Sequence, residues 1–252
     1  MTERPTTGRG LSFGPAAARY DDLRPGYPAD ALRWAVGDRP VRVLDLGAGT
    51  GILTRALRAL GHEVVAVEPD PRMRAHLLAT TPEVTALAGR AERIPLPGGT
   101  VDAVVAGQAY HWFDPGPAHA EVARVLVPGG VFAPLWNRRD ESVPWVAALS
   151  TISDDDTAGR GIREPVPGVD GFGDRFGPVE RRLFHHATRL DPDRLVGLVA
   201  TRSYYLTAPP RRQRELERRV RDLCATHPDL AGRDSFDLPY LTDAYRAATR
   251  SR

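Results

Sequence analysis

The sequence predicts an α/β fold built on a mostly parallel sheet, and three observations carry that expectation. Apolar runs of strand length recur from Val41 to Trp136, and helix-patterned segments separate them. At one junction, Val43-Leu44-Asp45-Leu46-Gly47-Ala48-Gly49-Thr50-Gly51, an apolar run breaks into alternating glycines and then resumes at helical spacing. Parallel strands are covered on both faces and so read as continuous apolar runs, and strand-helix-strand alternation implies right-handed crossovers.

Taken in order, Met1 to Gly14 lacks apolar periodicity and reads as a flexible arm, while Ala16 to Val36 supplies one or two short helices around the break at Pro25 to Pro28. Val41 to Leu46 is the first strand. Ile52, Leu53, Ala56, Leu57 and Leu60 form a helical stripe closed by Gly61. Further strands are expected at Glu63 to Glu68, Val84 to Ala88, Val101 to Ala106 and Gly130 to Trp136. Ser153 to Pro178 is rich in Gly, Pro and Asp, carries Phe172 and Phe176, and reads equally as a substrate lid or a solvated insertion. Val179 to Leu190 then reads as a strand, Asp191 to Ala200 as a helix, Pro209 to Cys224 as a longer Arg/Glu-laced helix, and Asp234 to Ala247 as a last strand.

All 34 basic residues are arginine, and the formal charge is +2. Cys224 is the single cysteine, so no intramolecular disulfide and no cysteine-based zinc site can form, which fits a reducing cytoplasm. No apolar run approaches the roughly 20 residues needed to span a bilayer. A metal is not expected: His185 and His186 are neighbours on a strand and point to opposite faces, and Asp154 to Asp156 lacks the glycine and distal glutamate of a calcium loop. Arg211, Arg212, Arg214, Arg218, Arg219 and Arg221 make a basic helix, but Glu215 and Glu217 interrupt it, so a solvated face is favoured over a nucleic-acid contact.

Chemistry concentrates at the glycine turn. Gly47, Gly49 and Gly51 permit unusual dihedrals and close approach of a ligand to the backbone. The next strand ends on Glu68, about twenty residues on, the interval expected of an acid that binds ribose hydroxyls. The spacing Gly47-x-Gly49-x-Gly51 departs from the dinucleotide pattern G-x-G-x-x-G. Asp45, just before the turn, would repel a pyrophosphate yet accept hydrogen bonds from a cationic amino-acid cofactor.

These residues closely resemble motif I of the class I S-adenosylmethionine-dependent methyltransferases. Glu68-Pro69-Asp70-Pro71 through Met73 resembles the second motif, Gly89-Arg90-Ala91-Glu92-Arg93-Ile94-Pro95 the adenine loop, and Val101 to Val105 the fourth strand. Glu121 to Phe132 is similar to the following helix, Pro-Gly-Gly turn and fifth strand. Tyr20 with Arg24-Pro25-Gly26-Tyr27-Pro28, His111-Trp112-Phe113-Asp114, and Leu238-Pro239-Tyr240 with Tyr245 point to the small-molecule subgroup that includes the trans-aconitate and ubiquinone-pathway type. The resemblance implies a Rossmann-like seven-stranded sheet, mostly parallel with an antiparallel final hairpin, helices on both faces and an inserted cap. One domain spans 1–252: arm and lid helices at 1–36, cofactor-binding core at 37–137, insertion or cap at 138–178, and C-terminal strands and helices at 179–252.

It also implies roles. S-adenosylmethionine, leaving as S-adenosylhomocysteine, would meet Asp45, Gly47, Ala48, Gly49, Gly51, Glu68, Pro69, Met73, Ala91, Glu92, Gln108, His111 and Trp112, with Arg24 pairing a carboxylate. His111 is the leading candidate for a base or an orienting group, with Tyr20 and Tyr27 completing the catalytic set, although the reading of His111 and Trp112 as pocket wall is slightly favoured. Tyr20, Trp112, Trp136, Asn137, Tyr204 and Tyr205 are candidates for the acceptor site, and 138–178 for acceptor choice. The expected partner is a small-molecule acceptor, secondary metabolites included, acted on by a cytoplasmic monomer or homodimer at an O, N or C atom. An RNA methyltransferase, or a cofactor-binding protein catalysing another reaction, are the alternatives.

Overall fold

A computed structural model describes residues 17–154, 169 and 171–250. The elements are α1 (Ala17–Leu23), α2 (Ala29–Val36), β1 (Arg42–Leu46), α3 (Ile52–Ala59), β2 (Glu63–Val67), α4 (Pro71–Thr80), β3 (Thr85–Leu87), β4 (Val101–Gly107), a 3-10 turn at Tyr110–Trp112, α5 (Pro115–Val125), β5 (Leu126–Arg139), α6 (Pro144–Asp154), β6 (Glu180–Leu190), α7 (Pro192–Ala200), α8 (Ser203–Leu206), α9 (Pro210–Thr226) and β7 (Phe236–Ala248). One seven-stranded sheet has the order β3-β2-β1-β4-β5-β7-β6. Its first five members pair in parallel, whereas β7 runs antiparallel to both β5 and β6. The chain reverses direction after β1, leaving from one side for β2 and β3 and returning on the other for β4, which opens a crevice at the carboxyl edge.

Strand alternation sends side chains to two cores. Val43, Val64, Ala103, Val105, Ala133 and Leu135 meet α2 and α3 on one face. On the other, Leu44, Val104, Phe132 and Trp136 meet α5 through Ala118, Val122 and Val125. A further helical layer, in which α6, α7 and α9 pack with Leu23 of α1, closes over the inner ends of β6 and β7 through Leu195, Leu198, Leu216, Val220, Leu238 and Tyr240.

Two expectations need correction. The fifth strand begins at Leu126 and runs to Arg139, so Pro128-Gly129-Gly130 is an irregularity within the strand. Pairing jumps from Val101↔Leu126 to Ala103↔Val131, Gly129 sits at φ +77°, and a Cβ on Gly130 would lie 2.9 Å from the carbonyls of Asp102 and Val127. Glycine is therefore required by close backbone approach as well as by the bulge.

The second correction concerns Phe172 and Phe176, which are core residues. Both are 1% exposed and stack edge-on with Phe132, Tyr110 or His119. Each buried Phe contributes on the order of 1.5–3 kcal/mol, enough to hold this stretch against the α5 face of the sheet and away from the crevice. None of the described residues of 138–178 lines the crevice. The arm Met1 to Gly14, and Asp155 and Asp156 of the acidic run, lie outside the described residues.

Candidate active site

The carboxyl edge holds a cavity of about 720 Å3, walled by the turns after β1, β2, β3 and β4 and by Asn137 of β5, and roofed by the N-terminal segment. Its dimensions fall within the range of small-ligand sites, roughly 300–1,000 Å3. Asp45, Gly47, Ala48, Gly49, Glu68, Pro69, Met73, Ala91, Glu92, Gln108, His111, Trp112 and Asn137 all line it, as do Tyr20, Arg24 and Tyr27.

The glycine turn is shaped by contact. Gly47 has φ +75°, and a Cβ there would stand 2.7 Å from the Cβ of Ala109. Gly49 has φ +57° with nothing within 4 Å of an added Cβ, which leaves its backbone open to a ligand. An alanine at Gly49 is expected to cost about 1 kcal/mol through backbone strain, whereas Gly47→Ala adds a steric clash and should melt at a lower temperature. Both substitutions should weaken cofactor binding, and thermal denaturation beside calorimetry separates the two effects. Gly51, expected at the cofactor, instead caps α3 in left-handed geometry, and its added Cβ would meet Leu77 Cγ at 2.9 Å.

Glu68 is 7% exposed at the end of β2. Its Oε2 accepts from the Gly49 N–H and its Oε1 from the Asp70 N–H, both at 2.8 Å. Glu68 lines the cavity and each of its oxygens can accept a further hydrogen bond, the capacity that two ribose hydroxyls require. Burial raises its pKa, with Asp70 and Gly49 opposing through those bonds. Asp45 is 1% exposed; Oδ2 accepts from Thr54 Oγ1 at 2.6 Å, but Oδ1 is buried without a partner among the described residues. Burial pushes its carboxyl up to about 7. A lone carboxylate oxygen at a glycine turn is a socket for an ammonium group, so the residues present fit the amino-acid end of S-adenosylmethionine. Ala91 is buried, and Glu92 Oε1 accepts from the Asp114 N–H at 2.8 Å, tying together the two loops at the far end of the cavity.

On the opposite side, Gln108 is the one non-glycine residue with positive φ among the described residues, at +56°. Its N–H donates to Leu135 O and its Nε2 to Asn137 O, each at 2.8 Å, which holds the strained turn in place. Asn137 Nδ2 donates to Gly26 O at 2.9 Å, while its Oδ1 accepts from Thr242 Oγ1 at 2.6 Å and faces His186 Nε2 at 3.2 Å. The roof is tied at both ends: Asp21 pairs with Arg55 at 2.5 Å, and Arg24 Nη2 donates to Thr201 O at 3.2 Å. Tyr27 lies over Gly107, whose added Cβ would approach the Tyr27 hydroxyl to 2.5 Å. Burial raises the Tyr27 phenol well above its ordinary value, so it donates and does not act as a base at neutral pH. His111 is exposed at the cavity rim with its ring 4.8 Å from that of Trp112, and the wall on its other side lowers its imidazole below the ordinary value. At neutral pH it is uncharged, a hydrogen-bond acceptor and a weak base.

Three expected acceptor residues lie elsewhere. Trp136 is fully buried, ring edge against Tyr110 and Tyr245, because alternation on β5 sends it to the face opposite Asn137. Tyr205 donates its hydroxyl to Glu217 on α9, and Tyr204 packs into the helical layer. Arg202, which no motif signalled, does line the cavity, which it reaches from the α7–α8 junction, distant in sequence from the other lining residues. Phe113, Asp114 and Thr50 were also missed, although each adjoins a motif residue. His185 is exposed and His186 stacks on Tyr240, so the two do point to opposite faces.

An open α/β sheet with a glycine turn after its first strand and a buried acid after its second defines a nucleoside-cofactor enzyme. Residues 44–133 match the methyltransferase domain family. An uncharacterised methyltransferase of Mycobacterium tuberculosis is 45% identical over 94% of this chain and 95% of its own length. One from Schizosaccharomyces pombe is 31% identical over 94% and 96%. A solved methyltransferase-family structure from Anaeromyxobacter dehalogenans superposes with a TM-score of 0.63 at 26% identity, covering 90% of this chain and 97% of that one. The chain belongs to the class I S-adenosylmethionine-dependent methyltransferases. No helix among the described residues is long and apolar enough to cross a membrane.

Proposed function

We propose that this methyltransferase transfers methyl from S-adenosylmethionine to an O, N or C atom of a small molecule, in a reducing cytoplasm. The observation that carries the reading is the roofed cavity, whose N-terminal cover is bonded to α3, β5 and the end of α7 and leaves room for a small acceptor beside the cofactor. Glu68 would bind the ribose, Asp45 the ammonium, Ala91 and Glu92 the adenine, and Gln108 with Asn137 the reactive end. When bound, the cofactor supplies a methyl group on a cationic sulfur that departs as a neutral thioether. The chain itself orients and excludes water: the neutral His111 accepts a hydrogen bond from the acceptor, and Trp112 walls the site. Proximity of this kind contributes several kcal/mol. The paired arginines of α9 also support the reading, with Arg218 on Glu215 and Asp222 and Arg221 on Asp193.

Incubation with S-adenosylmethionine and a panel of small acceptors, or with tRNA, followed by mass spectrometry, tests the proposal. Formation of S-adenosylhomocysteine together with a methylated small molecule is the expected result. Methylated RNA with steep salt dependence, or product without S-adenosylhomocysteine, would overturn it.

A further inference from the structure

The charges on the cavity wall are segregated apart from Arg90, which lines the acidic end. Asp45, Glu68, Glu92 and Asp114 line the part walled by the turns after β1 to β4. Arg24 and Arg202 line the part next to β5 and the helical layer, and Arg90 is exposed beside Ala91. Arg24 donates to a carbonyl and lies 4.5 Å over the Tyr20 ring, yet it forms no ion pair among the described residues. The Arg202 side chain has neither an ion pair nor a hydrogen bond among the described residues, and its Nε is buried without a partner. Burial, with Arg24 and Arg139 adding to it, lowers the Arg202 guanidinium to about 9.

Arg24 and Arg202 are half-buried with the Nε of each buried and unpartnered among the described residues, and guanidinium groups that repel one another in such a setting are costly unless an anion completes the site. S-adenosylmethionine carries one carboxylate, which Arg24 is placed to pair, and that leaves Arg202 unmatched. We infer that Arg202 binds an oxyanion on the methyl acceptor, a carboxylate or a phosphate, and so selects an anionic small molecule as substrate. Position supports this: Arg202 follows Thr201, whose carbonyl Arg24 holds, and feels the charge of Arg139 at the end of β5, whereas Glu68 and Ala91 follow β2 and β3, on the far side of β1 and β4 in the strand order. A guanidinium fork suits either oxyanion in bidentate fashion.

The inference rests on the proposed cofactor reading, and its test keeps the two apart. Protein saturated with S-adenosylhomocysteine would be titrated with short dicarboxylates, hydroxybenzoates and small phosphate monoesters, each beside its neutral amide or alcohol. Melting temperature would be followed, together with turnover in the presence of S-adenosylmethionine. At least one oxyanion should stabilise the complex and accept methyl while its neutral counterpart does neither, and the reactive series identifies carboxylate or phosphate. Arg202→Gln should raise KM for that acceptor about 100-fold with S-adenosylhomocysteine affinity kept within about threefold, and Arg202→Lys should recover part of the loss. Equal response to the neutral analogues, no response to any oxyanion, or a fall in S-adenosylhomocysteine affinity in Arg202→Gln as large as in Arg24→Gln would overturn the assignment. Failure of wild-type protein to bind S-adenosylhomocysteine would instead remove the cofactor reading, and the assignment with it.

Discussion

Replacing Glu68 by alanine is expected to weaken S-adenosylhomocysteine binding by at least a hundredfold. Two losses combine. Hydrogen bonds from ribose hydroxyls to a carboxylate contribute roughly 1.5–3 kcal/mol each, and an N–H left without its acceptor costs about 1–3 kcal/mol. The Gly49 and Asp70 N–H groups would both be stranded, so the glycine turn and the start of α4 loosen together. Glu68→Gln keeps one accepting oxygen and should fall between the two. Calorimetric titration measures the affinities, and the melting temperature of the ligand-free variants separates a distorted turn from a lost ribose contact. Unchanged affinity in Glu68→Ala would end the assignment of the ribose site.

Asp45→Asn should move stability and binding in opposite directions. Burial lifts the Asp45 carboxyl from 3.8 to about 7. The folded chain thus holds this proton more tightly than the unfolded chain does. The resulting advantage is complete below the unfolded value and is lost as pH rises to about 7, above which the buried charge is carried at full cost. A shift of about three units corresponds to roughly 4 kcal/mol as an upper figure. Asparagine removes the charge and still accepts from Thr54, so at pH 8 the ligand-free variant should be more stable by roughly 2–4 kcal/mol, or about 5–10 °C in Tm. At pH 5 the gain should be much smaller.

Binding shows the other side of the same group. Ionised Asp45 attracts the cofactor ammonium, and the protonated form must lose its proton first. Wild-type affinity for S-adenosylhomocysteine should therefore rise by up to about tenfold per pH unit between 5.5 and 7. The ammonium, with an ordinary pKa of roughly 7.7–8, stays charged over that interval. In Asp45→Asn the pH dependence should flatten and affinity at pH 8 fall about 100-fold. A slope that persists in the variant would move the titration to Glu68, whose carboxyl is also raised by burial.

Much of the site was legible because the half proposed for the cofactor is built from residues close together in sequence. The turn after β1, the acid after β2 and the Ala91-Glu92 loop each sit within a few residues of a strand end, where an apolar run breaks and the sheet must present its crevice. The acceptor half is assembled differently. Asn137 was anticipated but its neighbour Trp136 was placed in the pocket as well, and only the register of β5 against β4 and β7 shows which of the two faces the cavity. Tyr204 and Tyr205 were chosen two and three residues past Arg202, where helical rotation turns one into the helical layer and bonds the other to α9.

The sequence by itself determined the α/β class, the order of strands and helices, the glycine turn with its acid, and the family, because local apolar periodicity and short motifs encode all of these. Tertiary structure alone decided that Pro128-Gly129-Gly130 is a bulge within a strand, that Phe172 and Phe176 belong to the core, and that Asp45 Oδ1 and the Arg202 side chain lack hydrogen-bond partners among the described residues. Those facts depend on contacts between segments separated by tens to hundreds of residues. Burial and the absence of a counter-charge are properties of the packed molecule, and no single stretch of chain carries them.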